Sequence, residues 1–237
     1  MKLFVIMALM TVAAGAEDNA FSWAWNDQLK PTIYESWDSD GKLILGTTIG
    51  LTILANAYDK NVYEHNERKE NLLFSDQTAK ELGVIGSGMF GISIAAAQLI
   101  WDRREGLAHS RAIVLTSISH VTLAYLFQRG RPGNRDDFLP FKSSFPSGHA
   151  SSAFATATSL HLSYGLDVGI PAYFVASSIA LARVSENTHW LSDAVAGTGL
   201  GIFWGVASHK ISLKDKSYSF TPIMAPGALG GLVQMTY

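Results

Sequence analysis

Two short polar segments of this sequence combine a histidine with groups that would help it bind and attack an anion. The first, Pro146-Ser147-Gly148-His149, directly precedes a stretch rich in alanine and serine, which predicts the start of a helix. The free N–H groups and positive dipole end of that helix would face an anion, with Ser147 and His149 beside it. Gly148 would let the anion come close to the backbone.

The second segment contains Arg183, His189 and Asp193. The guanidinium of Arg183 offers forked donors that match the oxygens of a phosphate. His189 and Asp193 are four residues apart at a predicted helix start, so one turn can bring the carboxylate to a ring nitrogen. That contact would fix the tautomer and leave the other nitrogen free to attack. Two histidines in different environments could then divide the roles of nucleophile and general acid.

The elements that must position these residues are helices. Apolar stretches without Asp, Glu, Lys or Arg surround both segments, and their length and their Ala, Leu and Ile content predict an all-α fold, a compact bundle of about six helices. Glycines four apart at 197, 201 and 205 would let helix backbones approach closely. The chemical segments fall between helices three and four and between helices five and six, hence at the same end of an up-down bundle. The six stretches are 43–58, 82–101, 112–128, 150–166, 168–182 and 194–209.

The flanking segments differ in composition from the helical domain, which we place at 43–209. Residues 1–16 have the charged leader, apolar core and small residues typical of a signal peptide, which predicts an exported, periplasmic protein. Residues 17–42 are an aromatic N-terminal segment, either packed on the bundle or anchored at a membrane interface. The tail, 210–237, contains turn signals typical of a short hairpin or irregular segment.

Composition narrows the class of protein. Charged residues make up 16% of the chain, below the roughly 25% of a typical soluble domain, which favours a membrane protein or an unusually apolar bundle. However, only 82–101 reaches the roughly 20 residues that a membrane span needs. The sequence is therefore compatible with a membrane-associated or a membrane-embedded protein, and a non-spanning bundle is favoured. A net charge of −2 does not predict a nucleic-acid partner, and the absence of cysteine excludes thiolate metal sites and cysteine catalysis.

Together the motifs resemble the type 2 phosphatidic acid phosphatase and vanadium haloperoxidase superfamily. Its pattern is Lys-x6-Arg-Pro, then Pro-Ser-Gly-His, then Ser-Arg-x5-His-x3-Asp. Arg131-Pro132 represents the first part, 146–149 completes the second, and Arg183-x5-His189-x3-Asp193 represents the third. The resemblance covers roughly residues 43–209 and implies a helical fold like that of the acid phosphatases and vanadium haloperoxidases.

The resemblance also implies a role for each matched residue. His189 would attack phosphorus and form a phospho-histidine, Asp193 would orient it, and His149 would protonate the leaving oxygen and then activate water. No metal or cofactor is implied, although phosphate or vanadate would fit the site, because arginines and a helix N-terminus supply the positive field. The residues expected to hold the phosphoryl oxygens are Arg131, Ser147, Gly148 and Arg183.

Two positions depart from the family pattern. Ala124 stands where the pattern has its lysine, and Ala182 stands where it has its serine. The missing lysine removes one phosphate-binding cation, which Arg129, Arg135 or Lys142 could replace. The other histidines have no comparable context. Among them, His120 and His161 fall within apolar helices and are predicted to be core residues.

The resulting expectation is a phosphoric ester hydrolase that acts on phosphomonoesters or pyrophosphates, with a lipid phosphate favoured over a phosphorylated small molecule. The apolar helices favour the lipid substrate, whereas the signal peptide and short helices would suit a soluble, periplasmic, broad-specificity acid phosphatase. Two further alternatives are a vanadate-dependent haloperoxidase, because vanadate fits a phosphate site, and a degenerate phosphate-binding envelope protein, because the lysine is missing.

Overall fold

The computed structural model describes residues 19–68, 74–133, 143–212, 217–225 and 228–236. It confirms the predicted all-α bundle, and the predicted tail is an antiparallel hairpin in which Ser217 pairs with Thr236. The signal peptide predicted for 1–16 lies outside the described residues. The helices are α1 (Ala20–Trp23), a π-helical segment (Ala24–Leu29), α2 (Lys30–Glu35), α3 (Ser39–Glu67), α4 (Asp76–Ile85), α5 (Met89–Trp101), α6 (Arg103–Phe127), α7 (Gly148–Tyr164), α8 (Leu166–Ser185) and α9 (Leu191–Ser212), and the strands are β1 (Ser217–Ala225) and β2 (Ala228–Thr236).

The glycines of α9 let it pack directly on the backbone of α7. A Cβ atom at Gly197 would lie 2.5 Å from the carbonyl oxygen of Ser147, and one at Gly201 would lie 2.4 Å from the carbonyl oxygen of Ser151. The close approach predicted from the glycine spacing is therefore confirmed. It also brings together the first turns of α7 and α9, where the Ser147 amide donates to the Asp193 carbonyl at 2.9 Å.

The single helix predicted over 82–101 is wrong, because the chain breaks between α4 and α5. Gly88 adopts a φ of +87°, a left-handed conformation that a glycine tolerates best. A Cβ atom at Gly86 would lie 2.4 Å from a methyl group of Ile179, so the turn also packs tightly on α8. Residues 82–101 contain neither proline nor a charged residue, so Gly86-Ser87-Gly88 is the sequence signal for this break.

The length argument against membrane spans is also corrected. Helices continue beyond their apolar stretches into polar flanks, and three segments are long and apolar enough to cross a membrane: Gln77–Trp101, Arg103–Phe127 and Leu166–Ser185. Their outer faces carry large apolar side chains, among them Ile100 at 86% and Phe174 at 74% exposure. An exposed apolar surface of this kind indicates membrane association.

The aromatic N-terminal segment packs partly on the bundle. Trp23 and Leu29 contact a buried cluster formed by α5 and α6, in agreement with the predicted packing. Gln28 fixes the segment more firmly, because its side-chain oxygen accepts a hydrogen bond of 2.6 Å from the fully buried Arg111. The other aromatic residues of the segment are exposed: Phe21, Trp25, Tyr34 and Trp37.

Candidate active site

A polar cavity of about 350 Å³ lies at the end of the bundle where both motif segments meet. Four of the predicted site residues line it: Arg131, Gly148, His149 and His189. They come from the loop after α6, the first turn of α7 and the loop before α9, so the predicted meeting of these loops at one end is realised.

His189 is held so that one ring nitrogen is available. Its side chain is 5% exposed, and Nδ1 lies 2.7 Å from the carbonyl oxygen of Ser144. A carbonyl only accepts hydrogen bonds, so Nδ1 must carry the proton and Nε2 keeps its lone pair. Ser144 is itself fixed, because its amide donates to the Arg129 carbonyl and its hydroxyl donates to the Gly130 carbonyl. In the neutral imidazole, Nε2 is then able to act as a nucleophile or as a proton acceptor.

Asp193 lies behind His189 and is fully buried. Its Oδ2 atom is 3.7 Å from Nδ1 of His189, longer than a hydrogen bond, and accepts instead from the Trp190 amide at 2.9 Å. The carboxylate thus closes the first turn of α9 and adds its charge near the imidazole. The direct orienting contact expected of Asp193 belongs to Ser144, a residue that the sequence did not single out.

Arg129 joins Asp193 to a second buried carboxylate. Its guanidinium donates to Oδ1 of Asp193 and to Oδ2 of Asp59, each at 2.7 Å. Asp59, on α3, also accepts from the amide of Ser192 at 2.9 Å and from its hydroxyl at 2.5 Å. Arg129 therefore stabilises the start of α9. Because its guanidinium binds these two carboxylates, it is not placed to act as the substitute phosphate-binding cation. The only sequence signal for Asp59 is a carboxylate directly after the apolar stretch 43–58.

Arg183 and Ser147 do not line the cavity. The guanidinium of Arg183 donates to the Ala79 carbonyl and pairs with Glu186 at 2.7 Å, in space left by Gly83, where a Cβ atom would lie 2.5 Å from Nη2. The hydroxyl oxygen of Ser147 accepts from the Ala150 amide at 3.4 Å, as expected of a residue that caps a helix. Arg131 lines the cavity, and it donates to the Thr188 carbonyl at 2.9 Å.

The prediction that His120 is a core residue is wrong, because His120 lines the cavity together with His149 and His189. It lies on α6, one turn before Ala124, and helical periodicity alone does not reveal which side of that apolar helix meets the site. His161 is likewise half-buried and not a core residue, and its ring lies 5.7 Å from that of Tyr173 between centroids. The alternative cations Arg135 and Lys142 lie outside the described residues.

Within the part of the chain that the structure describes, no group of three or more His, Cys, Asp or Glu side chains could hold a metal ion. Arg131 and the N-terminus of α7, which begins at Gly148, both contribute a positive field at the cavity.

Comparison with known proteins identifies the family of the helical domain. Residues 105–217 match the model of the PAP2 superfamily, so this part of the chain is a domain of the type 2 phosphatidic acid phosphatase superfamily. Its lipid phosphatase members are phosphoric ester hydrolases. The match includes both histidine motifs and the helices that carry them.

Two known proteins are similar to parts of this chain. Over 91 residues the chain is 38% identical to the Lipid A 1-phosphatase of Porphyromonas gingivalis, which covers 37% of this chain and 19% of that relative. The chain thus spans less than a fifth of the length of the curated relative that it matches. The crystal structure of LpxE from Aquifex aeolicus is similar with a TM-score of 0.55 and 26% identity, over 64% of this chain and 93% of that structure.

Proposed function

We propose that this protein is a lipid phosphatase that hydrolyses the phosphate ester or pyrophosphate of a membrane lipid through a phospho-histidine at His189. The observation that carries this proposal is an apolar groove that opens into the polar cavity. The relative named Lipid A 1-phosphatase and the three segments of membrane-spanning length support the same substrate class.

The groove has a volume of about 330 Å³ and lies between the α4–α5 turn, α7 and α8. Apart from Ser152 and Thr156, its lining consists of glycine, proline and apolar residues such as Phe90, Leu160 and Ile179. Gly86, Gly88 and Ser152 line both the groove and the polar cavity. A lipid whose phosphate group is bound in the cavity would therefore have its apolar chain in the groove at the same time.

Two larger apolar grooves run along α3, with volumes of about 630 and 570 Å³. Neither shares a lining residue with the polar cavity. Apolar surface alone therefore does not identify the substrate side of the bundle. The break at Gly86 and Gly88 supports the groove beside it as the substrate side, because it lies next to His149, whose Cδ2 would be 3.4 Å from a Cβ atom at Gly86.

The proposed reaction has two steps. Nε2 of His189 attacks phosphorus, the bond to the lipid oxygen breaks, and His149 gives that oxygen a proton. His149 then takes a proton from water, whose oxygen attacks the phospho-histidine and releases inorganic phosphate. Arg131 and the amide of Gly148 bind the non-bridging oxygens, so the proposed mechanism requires no metal.

The test is a substrate panel run on the purified full chain in detergent with EDTA. Phosphatidate, a lipid pyrophosphate and p-nitrophenyl phosphate are compared by phosphate release. We expect the lipid phosphates to be hydrolysed with the higher kcat/KM and EDTA to leave the rate unchanged. Equal or better hydrolysis of the soluble ester would favour the acid phosphatase, and bromide oxidation with vanadate and peroxide would favour the haloperoxidase. Absence of activity in every one of these assays would overturn an enzymatic role.

Filling the groove separates lipid from soluble substrates. Ala153 lines the groove and is half-buried, so Ala153→Leu places three further carbon atoms there. We expect kcat/KM for phosphatidate to fall about tenfold, in the range of a mismatched apolar pocket, and the value for p-nitrophenyl phosphate to change less than twofold. Ala57→Leu, on the exposed face of α3, is the matched control and should alter neither value. Equal losses on both substrates would contradict an acyl-chain groove.

We further propose that the catalytic end of the bundle faces the periplasm. The leader pattern at 1–16 supports export, since it has the charge, apolar core and small residues of a signal peptide. The test is to label the variant His65→Cys. Position 65 is exposed in the last turn of α3. The chain has no native cysteine, so only the introduced thiol can react. Labelling of intact spheroplasts by an impermeant maleimide is expected, and labelling only after lysis would contradict the proposal.

A further inference from the structure

The polar cavity has few charged donors for a group as anionic as a phosphate. A phosphate ester of this kind carries a charge of about −1.5 to −2 at neutral pH and presents three acceptor oxygens. Arg131 is the only arginine or lysine among the described residues that line the cavity. Arg183 is directed at the Ala79 carbonyl and Glu186, and Arg129 at Asp59 and Asp193. Imidazole groups must therefore supply a larger share of the donors.

His120 is a third imidazole in the cavity, beside those of His149 and His189. Its ring lies against Gly148, the first residue of α7, and a Cβ atom there would be 3.0 Å from both Cε1 and Nε2 of His120. Such a distance is closer than ordinary van der Waals contact, so a side chain at 148 would displace the imidazole. The glycine thus allows an Nε2 atom from α6 to reach the end of α7 where amide groups point at an anion.

The position of His120 on α6 fits the same role. Side chains on a helix lean toward its N-terminus, so a long side chain at position 124 would extend over the turn that contains residue 120. Position 124 holds the small, buried Ala124, which is 4% exposed. A lysine at 124 would therefore extend toward the turn that holds His120.

We propose that His120 is a further phosphate-binding residue of this chain, which contacts through Nε2 a non-bridging oxygen that the Gly148 amide also binds. The inference rests on the proposed phosphatase function for its substrate, but it is tested by phosphate binding itself. In this arrangement Nε2 of His120 supplies, from one turn earlier on α6, a hydrogen-bond donor in place of the lysine that is missing at Ala124.

The experiment measures binding and turnover separately on the purified full chain in detergent. Inorganic phosphate is titrated by calorimetry into the wild type, His120→Gln and His65→Gln, and each is assayed with p-nitrophenyl phosphate. His65 is exposed on α3 and provides the matched control. His120→Asn is the second variant, and thermal unfolding verifies that each variant is folded.

For His120→Gln we expect the Kd for phosphate and the KM to rise at least about tenfold, the range of one lost hydrogen bond to a charged group, with kcat changed less than threefold. The control should match the wild type. Unchanged phosphate affinity in folded His120→Gln or His120→Asn would overturn the proposal, as would a loss confined to kcat. A wild type that binds phosphate but hydrolyses no ester would overturn the phosphatase function alone, since calorimetry still decides the role of His120.

Discussion

Replacement of His189 by alanine is expected to reduce phosphate release by at least about a thousandfold, as removal of a covalent nucleophile does. Alanine removes Nε2, the proposed attacking atom. The contact between Nδ1 and the Ser144 carbonyl leaves the lone pair of His189 on Nε2, and the buried Asp193 lies on the Nδ1 side of the ring. Initial rates with phosphatidate and p-nitrophenyl phosphate provide the measurement. His65→Ala, which removes an exposed imidazole from α3, should retain the wild-type rate.

Trapping of the intermediate tests the same prediction independently of the rate. Nitrophenolate leaves without protonation, whereas the attacking water still needs a base, so His149→Ala with p-nitrophenyl phosphate should accumulate the phosphoenzyme. Its phosphate should be labile to acid and stable to base, as expected of a phosphorus–nitrogen bond. A His189→Ala chain that still forms this species, or that retains more than a tenth of the activity, would contradict the assignment.

Replacement of Arg129 by alanine is expected to have the largest effect on stability. It leaves Asp193 and Asp59, with side chains 0% and 6% exposed, without their shared counter-charge. Loss of one partner from such a buried network costs about 3–5 kcal/mol of unfolding free energy, and we expect the lower end because Arg129 is itself partly exposed. Activity should fall as well, because Asp193 closes the turn that carries His189. Unfolding by SDS in mixed micelles measures the loss.

Two variants sharpen this test. Lys60→Ala removes an exposed ion pair with Glu64 at 3.7 Å, and a surface pair of this kind contributes less than about 1 kcal/mol, so stability should hardly change. Arg129→Lys keeps the charge but cannot donate to both carboxylates as a planar fork does, so an intermediate loss is expected. Equal stability of Arg129→Ala and Lys60→Ala would show that the network does not hold the start of α9.

Much of the site could be predicted from residue type and spacing. His149 and His189 line one cavity because each directly precedes or begins a helix, and helices that alternate in direction return those loops to the same end. The glycine spacing in α9 likewise predicts its contact with α7, since a missing Cβ is a local property of the chain. The part of the chain that matches the PAP2 superfamily, 105–217, contains the same motifs.

The direction of side chains could not be predicted in this way. Arg183 and Arg131 are equally plausible phosphate ligands by spacing, but only the rotation of α8 against α4 decides that Arg183 meets the Ala79 carbonyl. Similarly, the carbonyl of Ser144 holds His189, and a backbone oxygen has no residue type by which a sequence could reveal it. The position of His120 in the cavity could not be predicted either, because the side of α6 that faces α7 depends on packing.

The sequence by itself determined the chemistry: two histidines, an arginine and a helix start brought to one end of an all-α bundle. Those features depend on residue type and on intervals along one chain, which helical geometry converts directly into position. The tertiary structure alone decided which groups surround them, from the Asp59–Arg129–Asp193 network to the groove that opens at Gly86 and Gly88. Such contacts join residues far apart in sequence, and they depend on how helices rotate and pack against one another.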